Sequence, residues 1–94
     1  MKNKPTKIWV VYGQTGEYSD RSEWNIAAYL REEDAKAHAD AATAWYQDNN
    51  VMANRHQERK ESNPFDPSMR VDYTGTEWNI YPVDLFKSCE RQTP

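Results

Sequence analysis

The chain has 94 residues, with twelve Lys and Arg against fifteen Asp and Glu, giving a formal net charge of −3 and a mean hydropathy of −1.11. That length makes one domain, and the slightly acidic balance lacks the basic footprint that nucleic-acid binding requires. A lone cysteine, Cys89, excludes an intramolecular disulfide, no apolar run approaches the length of a bilayer span, and the "MKNKPTK" start has no apolar signal core, so the expected location is cytosolic.

"KIWVVYG", Lys7 to Gly13, is a β-branched and aromatic run closed by glycine and reads as a buried strand. "GQTGEYSDRS" follows as a polar loop too long for a tight hairpin. "EWNIAAYL" alternates, which sets Trp24, Ile26 and Ala28 on one face and Glu23, Asn25 and Ala27 on the other. Two strands joined by a local loop pair antiparallel.

From Glu32 the period becomes helical. Ala35, His38, Ala39, Ala42, Trp45, Tyr46, Asn49, Met52 and Ala53 share one side, opposite Glu32, Glu33, Lys36, Asp40, Thr43, Gln47 and Asp48. Acidic residues open this helix and Arg55, Arg59 and Lys60 suit its far end, with "SNP" at Ser62 to Pro64 as its stop. "FDPSM", with Pro64 just before it and Pro67 within it, is a two-proline loop, "RVDY" a short strand, and "TEWNIYPVDLF" a longer strand entered through a turn at Thr74 and Gly75. Pro82 cannot donate to a ladder, which makes that strand broken, bulged or edge-facing there.

These elements predict an α+β fold: an antiparallel sheet of three to four strands in the order β-β-α-β, with one long amphipathic helix on one face. The domain is expected at 7–87, between a flexible 1–6 and a disordered 88–94. The tetrapeptide Glu-Trp-Asn-Ile occurs twice, at 23–26 and 77–80. Its flanks diverge, so the two copies read as a coincidental match between two strands with the same packing problem. The sheet face away from the helix carries either Trp9, Val11 and Tyr29 or the Tyr12 set, depending on register; Trp9, Tyr12 and Tyr29 are the candidate interface residues, with a second copy of the chain as one occupant. Four Trp, six Tyr and two Phe must build much of the core, and the polar edges of buried Trp and Tyr need partners.

Catalytic chemistry is not signalled. His38 and His56 are too far apart along one helix to share a metal, Cys89 has no activating base beside it, and neither "GQTG" nor "YTGT" has the context of a phosphate loop. No cofactor, metal site or enzyme activity is expected. The loops "TGEYSDR" and "DYTGT" are expected to meet at one sheet end if the first and last strands are neighbours. They would bring together Tyr18, Asp20, Arg21, Asp72, Tyr73 and Thr74 as a candidate binding site; the competing reading is structural, with Arg21 bridging to a carboxylate.

"VVYGQTGEYSDRSEW", "AAYLREEDAKAH" and "DPSMRVDYTGT" together resemble small uncharacterised accessory proteins of bacteriophages and prophages over roughly residues 7 to 86. Arg31 stands where such proteins usually begin the helix with Ser-Glu-Glu. The resemblance implies a viral protein in the host bacterial cytoplasm and no particular reaction. The expected function is non-enzymatic binding to a host protein, in antiviral defence among other processes, which it inhibits or redirects. The alternative is a dimer that sequesters a small ligand or nucleotide between Tyr18, Arg21 and Tyr73.

Overall fold

A computed structural model of the chain describes residues 6–17, 19, 21–54, 62–71 and 74–86. It contains β1 (Thr6–Thr15), β2 (Ser22–Tyr29), α1 (Glu32–Asp48) and β3 (Thr76–Leu85), in the order β-β-α-β. The sheet is antiparallel throughout with strand order β2-β1-β3, so the most apolar strand is central and the two Glu-Trp-Asn-Ile segments flank it. The first and last strands are therefore neighbours. "RVDY" was the expected site of a fourth strand; Arg70 and Val71 are not in a strand, and 72–73 lie outside the described residues.

Register decides which face each side chain takes. Trp9, Val11, Gly13 and Thr15 of β1 face α1, and Ile8, Val10, Tyr12 and Gln14 face away from it, consistent with Val11 and Trp78 in the core beside the helix alanines. In β2, Ala27 lies opposite Val11 but Asn25 opposite Tyr12, which leaves Ile26 as the extra residue of a β-bulge. The bulge corrects the strict alternation expected from "EWNIAAYL". Ala27 joins the helix side with Trp24, Ile26 and Tyr29, while Ala28 pairs with Val10 and is exposed on the other face.

α1 lies close on the sheet because its inner residues are small: Ala35, Ala39 and Ala42 are buried against Val11 and Trp78. Tyr46 then fills the wider end, edge-on to Trp78 with ring centroids 5.4 Å apart. Arg31 occupies the N-cap without a side-chain cap bond, as its sequence position implies. Negative charge at the helix start is instead stabilised at Glu33. Its carboxyl is held below the ordinary carboxylate range by its own backbone amide and then by the Arg31 guanidinium.

The helix stops at Asp48, well short of Ser62, and its last turn carries no basic residue. Asn49 caps it, Asn50 takes φ 49°, a conformation that asparagine tolerates, and Val51 folds back to full burial. Arg55, Arg59 and Lys60, the cations expected at its far end, lie outside the described residues, as does His56.

The segment 62–71 completes the layer above the sheet. Asn63 is fully buried: its Nδ2 donates to the Ala42 carbonyl at 3.2 Å and its Oδ1 accepts from the Phe65 amide at 2.9 Å. His38 Nε2 donates to the Phe65 carbonyl at 2.7 Å, and its Nδ1 shares a hydrogen bond with the Tyr29 hydroxyl at 2.8 Å. Asp66, 1% exposed, receives both indoles of the repeated tetrapeptide. Trp24 Nε1 donates to its Oδ2 at 2.8 Å and Trp78 Nε1 to the same oxygen at 2.9 Å, while the Ser68 amide donates to Oδ1 at 3.2 Å.

The two tetrapeptides are thus equivalent in space. Glu23 and Glu77 flank Gln14, Trp24 and Trp78 flank Gly13, and Asn25 and Asn79 flank Tyr12. The two copies thus solve one packing problem, as their shared alternation implied, and they share a partner. Both copies place one tryptophan beside Gly13 so that both indoles reach a single carboxylate.

Candidate functional site

At the loop end of the sheet, the two threonine-glycine turns do meet. Thr15 Oγ1 donates to the Gly75 carbonyl at 2.7 Å and the Gly16 amide donates to Thr74 Oγ1 at 3.0 Å. Gly16 and Gly75 both take φ 88°, where a side chain is strained. Thr74 therefore has a structural bond at the expected place. Tyr18, Asp20, Asp72 and Tyr73 lie outside the described residues.

Arg21 is committed to the sheet. Its Nε donates to Glu23 Oε2 at 2.9 Å and its Nη2 to Gln14 Oε1 at 2.8 Å, and Gln14 Nε2 donates in turn to Glu77 Oε2 at 3.0 Å. A row Glu23–Arg21–Gln14–Glu77 so crosses all three strands on the face away from α1. The hollow between the two turns, lined by Gln14, Thr15, Glu17, Gly75 and Glu77, has a volume of about 110 Å³. That is small beside the ~300–1,000 Å³ of ordinary small-molecule sites. A shallow cleft of about 320 Å³ runs between α1 and the β3 edge, past Thr43, Gln47, Thr76 and Asn79.

The three candidate interface residues separate. Trp9 and Tyr29 pair with each other across β1 and β2 on the helix-bearing face and pack against the core, so the first of the two register alternatives is not the one adopted. Tyr12 belongs to the open face, edge-on to Tyr81 with centroids 5.4 Å apart, and the Tyr81 hydroxyl donates to Asn25 Oδ1 at 3.1 Å. Beyond that pair the open face is apolar: Val10, Ile8, Ala28, Val83 and Leu85 continue it, with Tyr81, Val83 and Leu85 exposed at 36%, 38% and 52%.

Tyr81, Val83 and Leu85 were not among the residues expected to matter. Their signal was present as a period-2 pattern through "YPVDL", obscured by Pro82. The proline is harmless where it sits. Thr76 donates its amide to the Tyr46 hydroxyl rather than to β1, and Pro82, six residues on, shares that outward phase. It thereby blunts the β3 edge against strand addition, as the Ile26 bulge blunts β2.

Among the described residues, no group of His, Cys, Asp and Glu is placed to hold a metal ion, and no helix is long and apolar enough to cross a membrane. Comparison with protein-family models, with curated proteins and with solved structures finds no match to this chain.

Proposed function

We propose that this chain is a small non-enzymatic binding protein that docks on another protein through the open face of its sheet, in the manner of an inhibitor or adaptor. The bacteriophage accessory proteins it resembles make the bacterial host the setting of that reading, with the host cytoplasm as its place of action and a host protein as its partner. One observation carries it. Among the described residues, a contiguous strip of Tyr12, Tyr81, Val83 and Leu85 stands uncovered beside a polar row, on a sheet whose other face is occupied by α1 and the 62–71 segment. Apolar patches rimmed by polar groups mark interaction surfaces, and blunted edges direct a partner to the face.

Tyr81→Asp tests the reading. It adds a charge in the middle of the strip and removes the ring contact with Tyr12 and the hydrogen bond to Asn25 without touching the core, so the melting temperature should fall by roughly 5–15 °C while unfolding stays cooperative. Capture of the stoichiometric partner from a bacterial lysate should fall at least about tenfold, the scale expected for a central aromatic contact. Undiminished capture by the folded variant rejects the open face as the docking surface.

A further inference from the structure

We infer that the open face takes a short segment of a partner protein bearing a basic side chain at one end of an apolar stretch, the cation seated against Tyr12 and Glu77 and the apolar part along Tyr81, Val83 and Leu85. This rests on the open face being the docking surface and adds the chemistry of what docks there. The sequence offered Arg21 as the receptor of an anionic group, with a structural bridge from Arg21 to a carboxylate as the competing reading. The structure removes that cation, because Arg21 already serves Glu23 and Gln14.

The charge left over is negative. Among the described residues, two carboxylates, Glu23 and Glu77, stand on this face against one guanidinium, and Glu77 is met by the neutral amide of Gln14. Glu77 lies diagonal to Tyr12, one step along β3 from the Asn79 that Tyr12 opposes, which puts the two side chains about 7–8 Å apart at the backbone. A guanidinium or ammonium over the Tyr12 ring thus sits within reach of the Glu77 carboxylate, combining ring and ionic attraction.

Size separates a short segment from a second copy of the chain. The apolar strip runs from Tyr12 to the Leu85 end, roughly 20 Å along the strands, by about 14 Å across three of them, a footprint of about 300 Å². Stable dimers bury about 800 Å² per partner, so this strip is too small to hold one by itself, whereas it matches a segment of some six to eight extended residues.

The full chain, labelled with ¹⁵N, would be titrated at low salt with two synthetic twelve-residue peptides of alternating Leu and Ser, one opening with two Arg and the other with two Glu. The Arg peptide should shift the amides of Tyr12, Glu77, Tyr81 and Val83, and the Glu peptide should not. Glu77→Gln should weaken the Arg peptide about two- to fivefold, and Arg21→Ala, which frees a second carboxylate, should tighten it by a similar factor. Equal binding of both peptides, or equal affinity in all three chains, overturns the inference. So does concentration-dependent shifting of the same amides with no peptide present, which would make a second copy the occupant. If neither peptide binds while Tyr81→Asp still abolishes capture, the basic-segment chemistry fails and the docking face stands; if capture is also indifferent to Tyr81→Asp, both fail.

Discussion

Asp66→Ala is expected to lower the stability of this protein by about 3–5 kcal/mol. The carboxylate is 1% exposed and accepts from three donors, two of them the indoles of the strands on either side of β1. Each buried donor left without a partner costs about 1–3 kcal/mol, and the Trp78 side of the site is fully enclosed. For a domain of this size that is much of the total stability and corresponds to a fall of about 15–30 °C in Tm. Asp66→Asn separates the hydrogen bonds from the charge. Its carbonyl oxygen can still accept from both indoles, and only the Ser68 amide loses its acceptor, so the loss should be about 1–2 kcal/mol. Thermal unfolding of both variants checks this; equal losses would mean that the site works as a charge rather than as a shared acceptor.

Gly13→Ala should be nearly as damaging, by about 2–4 kcal/mol, through crowding rather than backbone strain. A Cβ at this position would sit 2.7 Å from Cε2 and Cζ2 of Trp24, closer than any real contact allows, and the indole cannot retreat without leaving Asp66. The loss should therefore be strongly non-additive with the loss of the ring. In the Trp24→Ala background, Gly13→Ala should cost less than about 1 kcal/mol, a coupling that a double-mutant cycle reads directly. Additive losses would show that Gly13 is needed for some reason other than the indole over it.

Glycine, two tryptophans and one aspartate form a single unit, and the sequence displays only some of its parts. The apolar and alternating runs that became β1, β2 and β3 were legible, as was the small-residue stripe of α1, because one period and one apolar face suffice to specify them. The bulge at Ile26 was not, since an extra residue in a pair leaves no mark in the pattern of one strand, and it exchanged the faces of Ala27 and Ala28. The end of α1 was set too late because the helical period continues past Asp48, while the left-handed Asn50 that stops it reads as an ordinary surface residue. Asp66 was passed over as part of a two-proline connection, although the aromatic load already required acceptors for buried indole N–H groups.

The candidate site was legible in its neighbourhood and not in its sign. The meeting of the two threonine-glycine loops follows from β1 and β3 being adjacent, and it occurs. Arg21 pairs with Glu23, two residues on, which is the carboxylate bridge that the structural reading of this loop expects. Among the expected interface residues, parity alone divided Tyr12 from Trp9 and Tyr29, and parity is fixed by which face α1 covers.

That division makes the open face the place where function should be sought. Hydroxyl-radical footprinting of the complex captured through this chain measures it most directly, because a partner on the face shields side chains that the sheet's own hydrogen bonds do not. Oxidation of Tyr81, Val83 and Leu85 should drop on complex formation, while Phe65, exposed at 40% beside His38 of α1, reacts as in the free protein. Shielding of Phe65 or α1 with Tyr81, Val83 and Leu85 left reactive would contradict the assignment of the binding surface to the open sheet.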